Sequence, residues 1–121
     1  MTKILVYGTL RKGDYNFDRI LNSFGEGSIV KTGETTLRGY KLYNLGSYPG
    51  VVKSDSENDI IVCDIVEVKE EAKKFIDLME LGSGYKIETV VVDDVPHTIY
   101  EYKHQLSEDR RITTGDWFKR N

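Results

Sequence analysis

A chain of 121 residues is long enough to close one hydrophobic core and too short for two, so one domain spanning 1–121 is expected. With 39% hydrophobic and 31% charged residues it has the composition of a folded globular protein rather than a disordered one. A net charge of −3, mixed in sign along the chain, leaves no basic stripe and argues against nucleic acid and anionic membranes as partners. The cationic pair Arg110-Arg111 reads as a solvated loop. No stretch approaches the ~20 apolar residues of a membrane span, and the run Ile4-Leu5-Val6-Tyr7 is too short for a signal peptide's apolar region. A single cysteine, Cys63, cannot form an intramolecular disulfide and fits a reducing compartment. The expected setting is the cytoplasm.

In chain order, Ile4 to Tyr7 predicts a buried strand ended by Gly8. Asp14 is a suitable N-cap for a short helix, because Phe17, Ile20, Leu21 and Phe24 recur at helical spacing before Gly25. Ser28–Thr32 and Thr36–Leu45 read as two strands, and Tyr48-Pro49-Gly50 as a turn into Val51-Val52. Ser54–Asp59 is polar and acidic, the segment expected to be disordered or variable. Ile60–Val68 is a β-branched strand. Ala72, Phe75, Ile76 and Met79 then mark an amphipathic helix that stops at Gly82-Ser83-Gly84. Strands Tyr85–Val92 and His97–Tyr102 follow, joined by Asp93-Asp94-Val95-Pro96. Mostly strands with two short helices, the chain is expected to be α+β around a curved or closed sheet.

Two segments carry candidate chemistry. Between the first strand and the first helix, Gly8 and Gly13 stand five apart, as in a phosphate-binding loop. That pattern needs Lys and then Ser or Thr after its second glycine, whereas Asp14-Tyr15 follow here, and a carboxylate would repel phosphate. Two readings survive: a plain strand-to-helix turn, or a loop whose backbone N–H groups face a ligand across the bare Cα of Gly8. The second segment is the end of the second helix, where Glu80 follows Ile76 and Met79. A carboxylate there meets the negative end of the helix dipole and partial desolvation, and both raise its pKa toward the range of proton transfer. On periodicity alone an ordinary surface glutamate is the simpler reading, and Asp77 falls more toward the polar side. Other chemistries find little support. Cys63 reads as core, and His97 and His104 lack metal-ligand spacing. Gly46-Ser47-Tyr48-Pro49-Gly50 places its serine one residue early for a nucleophile elbow. Gly82-Ser83-Gly84 follows a helix rather than a strand, so it is not a dinucleotide fingerprint.

Four ordered blocks together resemble the γ-glutamylcyclotransferase-like family, in particular its γ-glutamylamine cyclotransferase (AIG2-like) type. Tyr7-Gly8-Thr9-Leu10 with Gly13 and Asn16 is similar to the family's Y-G-T-L-x-x-G-x-x-N opening, and Tyr48-Pro49 to its central Y-P turn. Asp77 to Glu80, with Gly82 and Tyr85, resembles L-D-x-x-E-G-x-x-Y, and Ile112 to Trp117 resembles I-x-x-G-D-W. The chain departs from the pattern at Ile87, where the family commonly has Arg, and at Leu81, which separates Glu80 from Gly82. The resemblance implies a mixed, barrel-like β-sheet with helices packed outside and a pocket at one end. It implies Glu80 as catalytic acid/base and Tyr7, Gly8, Thr9 and Leu10 as the cradle of a small γ-glutamyl substrate, with no metal or organic cofactor. The implied reaction releases 5-oxoproline and a free amine. A catalytically silent binding module is the alternative, favoured by Ile87, and a hydrolase or transferase acting on another γ-glutamyl compound is a third. The amine half of the substrate and the oligomeric state are left open by the sequence.

Overall fold

The computed structural model describes residues 1–120. Strand β1 (Thr2–Val6) leads through a loop to helix α1 (Tyr15–Phe24), followed by β2 (Ile29–Arg38), β3 (Tyr40–Asn44), β4 (Pro49–Lys53) and β5 (Ile60–Val68). Helix α2 (Glu70–Gly82), β6 (Tyr85–Val92) and β7 (Val95–Tyr102) complete the main elements, before short 3-10 turns at Glu108–Arg110 and Trp117–Lys119. Five strands form a mixed sheet in the order β2-β5-β1-β7-β6, with β1 antiparallel to β5 and parallel to β7.

The sheet is buried on both faces, which is why β1 reads as a continuous apolar run rather than an alternating one. Ile4 and Val6 face a cluster with Phe17, Ile20, Ala72 and Ile76, so α1 and α2 cover that side. Leu5 and Tyr7 face the opposite cluster with Leu42, Val51, Ile99 and Trp117. There the separate β3–β4 ribbon packs across from β5 to β7, giving the sheet its barrel-like wall with the helices outside. The α+β expectation holds. No helix among the described residues is long and apolar enough to cross a membrane.

Several boundaries differ from the sequence expectation. The two strands expected at 28–32 and 36–45 divide elsewhere: β2 runs through Gly33 with a bulge between Lys31 and Gly33, and the break comes at Gly39. Gly39 has φ +84, and its backbone bonds to Asp59 and Ser54 turn the chain out of the sheet. Pro49 and Gly50 are strand residues; the turn before them is closed by Leu45 N–H donating to the Tyr48 carbonyl at 2.9 Å. Segment 54–59 is a hydrogen-bonded turn rather than a disordered loop. Ser54 Oγ bonds the Asp59 carboxylate, which also accepts from Arg111 at 2.7 Å, so Arg111 is not a freely solvated cation. Between β6 and β7 the connection is only Asp93-Asp94, both at positive φ, as a two-residue hairpin of this twist requires. Pro96 therefore lies inside β7, tolerated because β7 pairs with β1 only at Thr98.

The tail closes the ribbon side. Gly115 has φ +70, its carbonyl accepts from Val62 N–H at 2.8 Å, and a Cβ there would lie 2.1 Å from the Ile60 carbonyl oxygen. Gly115→Ala is expected to lower stability by at least about 2 kcal/mol, because strained backbone and a backbone clash add. Urea unfolding with an unchanged m-value would read this directly; a midpoint equal to wild type would contradict the tight approach.

Candidate active site

The loop after β1 is anchored from behind by charge. Arg11 is buried, donating from Nε to Asp64 at 3.3 Å and from Nη1 to Asp116 at 2.7 Å. Asp64, fully buried, also accepts from the Lys12 backbone N–H at 3.0 Å. Asp14 caps α1 through Tyr15 N–H at 2.7 Å while accepting from Trp117 Nε1 at 2.9 Å, so the tail's Asp116-Trp117 pair grips both ends of the loop's second half. The Thr9 carbonyl accepts from the N–H groups of Asn16 and Phe17, and Asn16 Nδ2 donates to Thr9 Oγ1 at 2.8 Å. Among the described residues, the backbone N–H groups of Gly8, Thr9 and Leu10 have no protein acceptor.

This loop forms one wall of a cavity of about 260 Å³. Tyr7, Gly8, Thr9, Leu10 and Glu80 all line it, so the structure brings together every residue singled out from the sequence. The need for glycine at position 8 has a different cause from the one expected. A Cβ there would fall 2.3 Å from Pro49 Cγ and 2.6 Å from its Cδ, so it is the proline ring, not an incoming ligand, that takes the space. The contact brings Tyr48-Pro49 against the loop, and both line the cavity.

Glu80 enters from the last turns of α2, half-buried, with no hydrogen bond or ion pair to its carboxylate among the described residues. Burial raises its pKa to about 7, with no offsetting cation. The helix continues to Gly82, so Leu81 is absorbed as one more helical residue. Asp77 points elsewhere: it accepts from the Tyr100 hydroxyl at 2.6 Å and pairs with Lys73 at 2.7 Å.

Three tyrosines complete the interior. Tyr7 OH donates to the Tyr100 carbonyl at 2.6 Å, Tyr85 OH to the Pro49 carbonyl, and Tyr100 OH to Asp77. Burial raises the pKa of all three, so they remain neutral donors locked to fixed acceptors. Glu80 is thus the group in this cavity able to exchange a proton near neutral pH. Cys63 lies in the core, its thiol pushed up to about 12 by burial, and no group of three His, Cys, Asp or Glu among the described residues could hold a metal. Tyr100, Met79 and Arg19 also line the cavity and were not anticipated. Arg19 had a signal, since it follows Asn16 by three residues and so shares its helix face. Tyr100 had none, because only strand pairing places β7 beside β1.

Comparison with known proteins agrees with this architecture. The family model described as "Gamma-glutamyl cyclotransferase, AIG2-like" matches residues 4–119. A relative from Vibrio cholerae, provisionally named a γ-glutamylcyclotransferase, is 29% identical over 97% of this chain and 96% of its own. A crystal structure of an uncharacterised protein from Pyrococcus horikoshii superposes with TM-score 0.77 at 29% identity, covering 97% of this chain and 90% of that one. An AIG2-like protein from Mus musculus shares the fold, with TM-score 0.70 at 22% identity over 87% of this chain and 80% of that one. The chain belongs to the γ-glutamylcyclotransferase, AIG2-like family.

The raised pKa of Glu80 has a thermodynamic consequence. The folded state binds the carboxyl proton more tightly than the unfolded state, so stability is lost as pH rises from about 4.5 through about 7. Glu80→Gln removes the charge, and relative to wild type it is expected to gain up to about 3 kcal/mol between pH 5 and pH 8. Thermal melts at the two pH values test this; parallel curves for both proteins would mean that Glu80 ionises normally.

Proposed function

We propose that this chain is a γ-glutamyl cyclotransferase that converts a γ-glutamyl amine or peptide to 5-oxoproline and a free amine. The observation that carries the reading is the position of Glu80: a carboxylate with a pKa of about 7 and no partner among the described residues, in one small cavity lined by three residues whose backbone N–H groups are likewise unengaged. Within the substrate the α-amine attacks the γ-carbonyl carbon, forming the ring C–N bond, and the bond to the amine half then breaks. Because both reacting groups sit in one molecule, effective molarity is high and no covalent enzyme intermediate is needed. Glu80 as carboxylate takes a proton from the α-ammonium and, as acid, delivers it to the departing nitrogen. The N–H groups of Gly8, Thr9 and Leu10 would stabilise the tetrahedral oxyanion, held in place beforehand by the Arg11 anchor.

The reading takes the chain as one catalytic domain, working in the cytoplasm without a metal or organic cofactor. The silent-module alternative rested on Ile87. That residue is exposed on β6 and does not line the cavity, so the departure from the family pattern falls outside the reacting region.

Glu80→Gln is expected to fold and to lose turnover by at least about a thousandfold, since the amide cannot carry a proton. In the wild-type enzyme kcat/KM should rise with pH through about 7 as Glu80 ionises. Near-normal kcat in the variant would remove Glu80 from the mechanism. A second experiment separates cyclisation from hydrolysis: offer a γ-glutamyl amine and its N-acetylated twin and identify the products by mass. The expected result is 5-oxoproline from the first and no product from the second. Glutamate, or its acetylated form, would mean attack by water, and binding without product would favour the silent module.

A further inference from the structure

One charged residue at the cavity has no part in the chemistry above. Arg19, on α1, is the only cation among the residues lining the cavity, as Glu80 is the only anion. Its guanidinium lies over the Phe75 ring, 5.2 Å from the centroid, and Nη1 is 3.9 Å from the Met79 sulfur. These neighbours contact the exposed head group without neutralising it, and it forms no salt bridge among the described residues. Nor is its charge spent on Glu80, whose pKa is governed by burial with no contribution from a cation.

The cavity is graded from inside to outside. Tyr7, Thr9, Leu10, Tyr85 and Tyr100 are all buried, whereas Tyr15, Tyr48 and Arg19 are exposed and form its rim. In a cyclotransferase the γ-carbonyl must sit beside Glu80 and the loop N–H groups, at the interior. The amine half, which departs, then extends toward the rim. We propose that Arg19 recognises a carboxylate on that amine half, so that the preferred substrates are γ-glutamyl amino acids rather than γ-glutamyl derivatives of neutral or cationic amines. A guanidinium suits this role because its planar donors match a carboxylate in two-point geometry and its charge repels a cationic amine. The inference rests on the cyclotransferase reading and extends it to the half of the substrate that the reaction itself does not constrain.

The test compares three substrates by 5-oxoproline release: γ-glutamyl-alanine, γ-glutamyl-alaninamide, and a γ-glutamyl derivative of a linear diamine. Wild type is expected to favour the first over the second by about tenfold in kcat/KM, with the cationic compound last. Added salt should narrow the gap. Arg19→Gln should bring the first two within about twofold, and Arg19→Lys should keep part of the preference. Arg19→Glu should place the cationic compound above the anionic one. If Arg19→Gln slows all three equally, the arginine serves the glutamyl group's own carboxylate and the inference fails while the cyclotransferase reading stands. The same holds if wild type shows no preference. Absence of 5-oxoproline from all three would overturn both.

Discussion

The buried guanidinium of Arg11 is the interaction on which the rest of the cavity depends. It joins three distant parts of the chain: the loop after β1, Asp64 in the middle of β5, and Asp116 in the tail. Removing one partner from such a pair costs about 3–5 kcal/mol, because the remaining charge stays buried and uncompensated. With Asp64 also accepting from the Lys12 N–H, the loop's outer half is fixed, and its inner half, Gly8 to Leu10, lines the cavity with backbone donors that have no acceptor among the described residues. In the proposed reaction, donors held in place beforehand would need no reorganisation, which is the condition for effective oxyanion stabilisation. The closing Gly-Asp-Trp block thus supports the loop from a distance of about a hundred residues in sequence and does not line the cavity.

The protein treats its carboxylates in two opposite ways. Asp64 is buried more deeply than Glu80, yet it is surrounded by Arg11, Lys31 and a backbone N–H. Glu80 has burial without compensation, and its pKa moves to about 7. Asp64 is therefore held as an anchor by its partners, whereas Glu80 is left without them, which is the condition that the proposed role of proton carrier requires. The cost of keeping Glu80 unpaired falls on stability at neutral pH, a trade expected where a site must retain a group that the fold would otherwise neutralise.

The tyrosines around the cavity work with this arrangement. The hydroxyls of the buried Tyr7, Tyr85 and Tyr100 are each committed to a carbonyl or to Asp77, so the inner walls are polar in composition but offer no competing acid or base. Tyr85 donates to the Pro49 carbonyl while the Pro49 ring fills the space above Gly8, which ties β6, β4 and the β1 loop around one point. Substitution of Gly8 would separate these elements, so its effect would spread to the whole wall and not to a single ligand contact.

Much of the fold was legible in the sequence because local rules decide it. The apolar run of β1, the Asp14 cap, the helical spacing of α2 and the strong β-branching of β5 each depend on residues within a few positions of one another. The candidate site was legible at Glu80 and at Tyr7 to Leu10 through ordered motif blocks, since those residues lie in short contiguous stretches. Boundaries set by pairing were not: β2 continues through Gly33 because β5 runs alongside it, and the break falls at Gly39 where a positive φ and distant backbone bonds turn the chain. The sequence by itself determined which residues could carry a proton, cap a helix or enter a core. Only the tertiary structure decided that Arg11 would meet Asp64 and Asp116, that Pro49 would claim the space at Gly8, and that Arg19 would stand at the rim of the cavity. Those outcomes depend on contacts between segments far apart in the chain, and no local pattern carries that information.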